Sequence, residues 1–242
     1  MMKKAGIALA LLILLLGGAL FWLHHNLNHL VKNAIESYGS QMTKAKVTVS
    51  SVALTTTTGT GIIRGLVVGN PKGFKTPYAL KVGQIEVAID LSTLTHPAIL
   101  IKKIMIDAPD VIYERAGGTT NFDALLRNVS RQTNSSDQTA TPEKTNRTGK
   151  RLIVGVLSVR GAKAEASAGF MGGKTVSVSL PDITLRHIGQ SEGGVPPAEL
   201  GAKIGEALKT KLEGAISFSA LANSFGNSMK KAGHAISGFF GQ

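Results

Sequence analysis

The segment Ala168-Gly169-Phe170-Met171-Gly172-Gly173-Lys174-Thr175 ends in Gly-Lys-Thr, the close of a phosphate-binding loop. Such a loop wraps backbone N–H groups around phosphate and is closed by a helix N-terminus. The residues that follow, Thr175 to Leu180, alternate like a strand, and Ala168 stands where the first glycine belongs. A glycine-rich hairpin turn is the better reading. His25 and His29 lie at i, i+4 and could share a helix face as two metal ligands, but no carboxylate neighbours them. Asp107, Asp110, Glu114 and Asp123 cluster in sequence, yet they alternate along strands and flank turns, which predicts solvated edges rather than an acid/base pair across a cleft. No G-x-S-x-G elbow is present, and the chain has no cysteine, which removes serine-hydrolase, thiol and zinc-ribbon chemistry together. The expectation is a non-enzymatic protein without catalytic residues, cofactor or metal.

The remaining chemistry is that of surfaces. With 27 Lys+Arg against 15 Asp+Glu the net charge is +12, which suits an anionic partner. Aromatic residues make up only 5% of the chain, too few for a base-stacking surface, so nucleic acid is not the expected partner. Lys3 and Lys4 precede an uncharged run from Ala5 to Leu23, which as a helix spans roughly 28 Å, close to a hydrocarbon core. No small-residue cleavage site follows it, and Trp22, His24 and His25 fit an interfacial belt. Residues 1–24 are therefore expected to be a transmembrane signal anchor, with the two lysines holding the N-terminus in the cytoplasm and the bulk of the chain outside it.

The elements beyond the anchor follow from periodicity. Leu27, Leu30, Val31, Ala34, Ile35 and Tyr38 continue a helix within 25–46, with Gly39 as its expected C-terminal stop. From residue 47 the period becomes two. Strands are expected over 47–129, including Ile85, Val87, Ile89 and Leu91 in strict alternation, and Asn121 N-caps a short helix carrying Leu125, Leu126 and Val129. A flexible polar loop is expected over 130–150, returning strands over 151–195 and helices over 196–242. The last helix carries Phe225, Met229, Ile236 and Phe239 on one face beside Lys230 and Lys231. That pattern fits a helix lying on a membrane surface, or one that covers a sheet edge. The fold class is thus α+β and mainly antiparallel, with an N-terminal transmembrane helix and C-terminal amphipathic helices.

Several of these stretches together resemble a known family. They are Val47 to Leu54, Gly65-Leu-Val-Val-Gly-Asn-Pro-Lys-Gly-Phe74, Pro77 to Asp90, Ile104 to Glu114 and Asn121 to Asn128. The run resembles the N-terminal module of the AsmA-like bacterial envelope proteins, over roughly residues 1 to 128. The resemblance implies an inner-membrane anchor and a curved, open antiparallel sheet in the periplasm. Larger relatives are thought to form a groove carrying phospholipid acyl chains toward the outer membrane. An apolar sheet face of Ile85, Val87, Ile89, Ile104, Ile106, Val111 and Tyr113 would then be the lipid-facing surface, each buried methylene favouring binding by about 0.8 kcal/mol. The implied partners are the membrane, phospholipid or another anionic lipid, and envelope assembly proteins. About ten strands reach only about 50 Å, too short to bridge a double-membrane envelope in one copy. The alternative role is a structural or interaction module for outer-membrane protein assembly, with its sheet face packed.

Overall fold

The computed structural model describes residues 26–138, 150–218 and 222–223. The expected anchor over 1–24 and the terminal residues Phe225, Met229, Lys230, Lys231, Ile236 and Phe239 lie outside the described residues. Among the described residues no helix is long and apolar enough to cross a membrane. Helix α1 covers 26–43 and runs through Gly39, the expected stop. It is followed by β1 (Val47–Thr48), β2 (Ser51–Thr55), β3 (Thr60–Val68), β4 (Leu80–Ile89), β5 (Ala98–Asp107), β6 (Asp110–Ala116) and β7 (Thr119–Thr120). Helix α2 (Asn121–Gln138) then leads to β8 (Arg151–Arg160), β9 (Lys163–Ala168), β10 (Val176–Ser179), β11 (Ile183–Ile188) and α3 (Pro197–Ala215).

All the strands join one open, mixed sheet. Neighbours pair antiparallel except where β5 meets β8 and β6 meets β9, so the chain makes a parallel crossover through α2. The α+β class with a mostly antiparallel sheet is therefore correct, and the parallel seam is an addition to it. The glycine-rich segment is a turn, as its flanking alternation predicts: β9 returns antiparallel as β10 with Ala166 opposite Val176.

Register shows that many of these strands are halves of longer ones. Asp107 lies opposite Arg160 and Asp110 opposite Lys163, so β5–β6 and β8–β9 run side by side without a slip. Likewise Gln84 faces Asp107 while Lys81 faces Asp110, and Val159 faces Ile183 while Lys163 faces Ser179. One crease thus crosses the sheet at Ser50, Gly65, Gly83, Ala108, Gly161 and Pro181. Gly65, Ala108 and Gly161 have φ of 61°, 45° and 58°, the left-handed region. At Gly65 a Cβ would come within 2.1 Å of Ser50 Oγ, so only glycine fits. The crease is bonded across: Ala108 N–H donates to Arg160 O (2.8 Å), Lys163 N–H to Pro109 O (2.8 Å) and Gly161 N–H to Asp182 Oδ1 (3.0 Å).

The crease also changes which residues point inward. Before it Ile104 and Ile106 join the core, after it Val111 and Tyr113; likewise Leu157 and Val159 are succeeded by Ala164 and Ala166. One extra residue in each strand keeps the same apolar face inward on both sides, as in a bulge that bends a strand. This is how residues with a broken period of two, from Ile85 to Tyr113, share one face.

Helix α1 lies along the β1–β2 edge of the sheet. Positions 28, 32, 36 and 40 of α1 lie one above another at i+4 spacing, and their side chains bond the backbone along β1–β2. Asn28 Oδ1 accepts from Leu54 N (3.0 Å), Glu36 Oε1 from Val49 N (2.7 Å) and Ser40 Oγ from Val47 N (2.9 Å). That edge is occupied by side chains and cannot recruit a strand.

Two expectations about α2 change. Asn121 is not the cap. Thr120 Oγ1 accepts from Asp123 N (3.1 Å) while Asp123 Oδ2 accepts from Thr120 N (3.2 Å), a reciprocal capping box. Nor does the helix stop before Ser130; it continues to Gln138, into the stretch expected to be loop.

Candidate functional site

The seven residues expected on one apolar face do share it, but they divide into two environments. Val111 and Tyr113 lie in the core under α2 and α3, with Tyr113 only 1% exposed. Phe122 and Phe218 rest against the Tyr113 ring at centroid distances of 5.8 and 5.7 Å. Burial, the largest cause, raises the Tyr113 pKa above the ordinary phenol value, and its hydroxyl approaches Glu213 of α3. Ile85 is buried, whereas Val87, Ile89, Ile104 and Ile106 are half-buried at the margin of the core. Helices α2 and α3 pack chiefly on β6, β7, β8 and β11, so β4 and β5 present this part of the face beside them. Its polar reverse side carries Gln84, Glu86, Lys103 and Asp107 between the apolar positions.

The lid over the sealed part is tied to itself and to the sheet. Lys209 of α3 sits 2.9 Å from Asp123 of α2. Burial opposes ionisation of Asp123, but the hydrogen bonds from Thr120 and Lys209 outweigh it and hold the carboxyl below its ordinary value. The Asp123 hydrogen bond likewise raises Lys209. Close approach matters here too: a Cβ on Gly205 of α3 would fall 2.9 Å from Leu126 Cδ2 of α2.

Behind the same strand lies a polar cluster that overturns the reading of Glu114 as a solvated edge residue. Glu114 is fully buried. Its carboxylate accepts from Lys75 N (2.9 and 3.0 Å), Thr76 N (2.8 Å) and Thr76 Oγ1 (2.7 Å). Asn121 Oδ1 accepts from Glu114 N (3.0 Å), and its amide donates to Asn70 Oδ1 (2.9 Å) and Ile112 O (2.7 Å). Asn70 in turn donates to Thr76 O (2.8 Å). The network pins the loop Asn70–Pro77 onto β6, and its members satisfy one another, which is the arrangement of a structural lock rather than a reactive centre. Of the other carboxylates, Asp107 is exposed and Asp110 accepts from Tyr78 Oη (2.9 Å). Burial and that acceptor push the Tyr78 pKa up to about 12.

The described concavities are small. One of about 390 Å³ opens on the polar side of β3 and β4, between Thr60, Ile62, Glu86 and Lys103. Another of about 350 Å³ lies against α2 and α3, lined by Asp123, Arg127, Ser130, Arg131, Glu206 and Lys209. His29 lies on α1, and His25 is outside the described residues. The surface with a distinct chemical character is the half-buried apolar stretch of β4 and β5.

Compared with protein families, with curated proteins and with solved structures, the chain finds no match.

Proposed function

We propose that this chain is a membrane-anchored, non-enzymatic protein of the AsmA-like type, which holds lipid acyl chains on the half-covered part of its sheet. In this reading residues 1–24 anchor it in a bacterial inner membrane, the sheet stands in the periplasm, and its role is envelope lipid transport and outer-membrane biogenesis. The observation that carries the reading is the row Val87, Ile89, Ile104 and Ile106, continuous with the core yet only half-buried. Four branched side chains at the margin of a core offer an apolar bed, and an acyl chain on it gains about 0.8 kcal/mol for each methylene removed from water. The net charge of +12 suits anionic headgroups.

The test is to purify the full chain from bacterial membranes in mild detergent and analyse extracted lipid by mass spectrometry. Phospholipid retained by the protein and lost on Ile104→Asp supports the reading; retention that is identical in both proteins contradicts it. A second reading, a structural module for outer-membrane protein assembly, draws on Ile85, which is only 8% exposed although it lies in the same row. If the row is filled throughout, Ile104→Asp unfolds the sheet.

A further inference from the structure

At the end of the sheet where the chain arrives from residues 1–25, two leucines stand exposed on a braced turn. The 3-10 turn Leu91–Thr93 follows β4 directly. Asp90 Oδ1 accepts from Ser92 N (3.1 Å) and Ser92 Oγ (2.7 Å), Thr93 Oγ1 donates to Asp90 O (2.7 Å), and Leu100 N donates to Thr93 Oγ1 (3.0 Å). Leu91 is 37% and Leu94 44% exposed, and Leu30, on the first described turns of α1, is 41% exposed. A lone exposed leucine is ordinary. Three at one end, two of them held out by a hydrogen-bonded turn, make a patch.

The patch lies at the end of the sheet where α1 begins. Residues 5–23 carry no charge, and Asn26, three residues beyond them, is already in α1. Asn28 bonds Leu54 near the end of β2 (3.0 Å), and Thr55 pairs with Thr60 across the adjoining turn. Gly59 O in that turn accepts from Ile89 N (2.7 Å), and a Cβ on Gly59 would lie 3.0 Å from Leu91 Cγ. The start of α1 and the leucine turn therefore occupy the same end of the molecule. Lys102 is paired with Asp90 at 3.3 Å, and the positive charge at this end is that of Lys150, which is exposed and donates to His96 O (2.8 Å). We propose that this end of the sheet sits on the bilayer, with Leu91 and Leu94 entering the headgroup–acyl boundary of an anionic leaflet. The seat rests on residues 5–23 being an anchor, and it is separate from lipid binding on β4 and β5.

The native sequence contains no cysteine, so Leu91→Cys, Leu94→Cys and Phe170→Cys each give a single attachment point for a bimane fluorophore. Phe170, 53% exposed beyond β9 at the opposite end, is the internal control. The full-length variants are reconstituted into phosphatidylethanolamine–phosphatidylglycerol vesicles carrying nitroxide-labelled acyl chains. Labels at 91 and 94 should be quenched, reporting a depth of about 5–10 Å into the interface, while the label at 170 stays in water. Labels at 91 and 94 quenched no more than the one at 170 overturn the seat. A benzophenone amino acid at position 104 in the same vesicles reads acyl-chain binding independently. Lipid adducts at 104 with unquenched leucines reject the seat alone. Quenched leucines without adducts uphold the seat and reject lipid holding.

Discussion

Beneath α2 and α3 the inner face of the sheet is closed by aromatic packing, with the Tyr113 ring held between Phe122 and Phe218. A few residues along the same strands, Val87, Ile89, Ile104 and Ile106 carry equally apolar side chains but remain half-buried. The composition of the two regions is alike; what differs is the second layer. An amphipathic sheet face has to be covered by something. In the first region the chain supplies its own helices and locks them with Asp123–Lys209 and the Glu114 network. In the second, the proposed cover is an acyl chain.

That difference can be broken by mutation. Tyr113→Ala opens a cavity in the closed region and removes two ring contacts, and it should lower unfolding free energy by about 3–5 kcal/mol in a urea melt. Next in size is Glu114→Ala, which strands three donors that now point at one buried carboxylate. A loss of about 3 kcal/mol is expected, with Glu114→Gln losing less because one oxygen still accepts. Val87→Asp, in the half-covered region, should cost only about 1–2 kcal/mol and leave the circular dichroism spectrum native. A Val87→Asp loss as large as that of Tyr113→Ala would show that both regions are equally filled.

The smallest effect is that of pH on the lid. Asp123 has a folded pKa below its unfolded value, so its contribution is present above the unfolded pKa and is lost as pH falls through the folded one. Lys209 is raised, so its share is present at neutral pH and lost only in strong alkali, above its ordinary value. Acidification below the ordinary carboxyl range should therefore loosen α2 from α3 by about 1 kcal/mol or less, since the pair is partly solvated. Hydrogen exchange should rise in both helices and not in β4 or β5, and Asp123→Asn should abolish that pH dependence.

Much of the apolar face was legible because it depends on local pattern. Ile85, Val87 and Ile89 alternate, and the Ala108-Pro109 break marks where Ile104 and Ile106 hand over to Val111 and Tyr113. The crease itself was not legible, because it is a property of register among strands far apart in sequence. Neither was the parallel seam, since pairing of β5 with β8 rather than an antiparallel neighbour leaves no mark on either strand alone. Glu114 was misread for a related reason: its partners at Lys75 and Thr76 are 39 and 38 residues away, and most are backbone N–H groups, which no side-chain pattern announces. Thr120 lost the cap assignment to Asn121 because both are good capping types, and only Asp123 three residues on distinguishes them.

The central claim is that the sheet carries lipid where it is half-covered and protein where it is closed. Its most direct test is photocross-linking in growing bacterial cells, with a benzophenone amino acid placed in turn at Ile104 and at Val111 of the full chain, followed by mass spectrometry of the adducts. The account predicts phospholipid adducts at 104 and only intramolecular cross-links to α2 or α3 at 111. Intramolecular cross-links alone at both positions would contradict it.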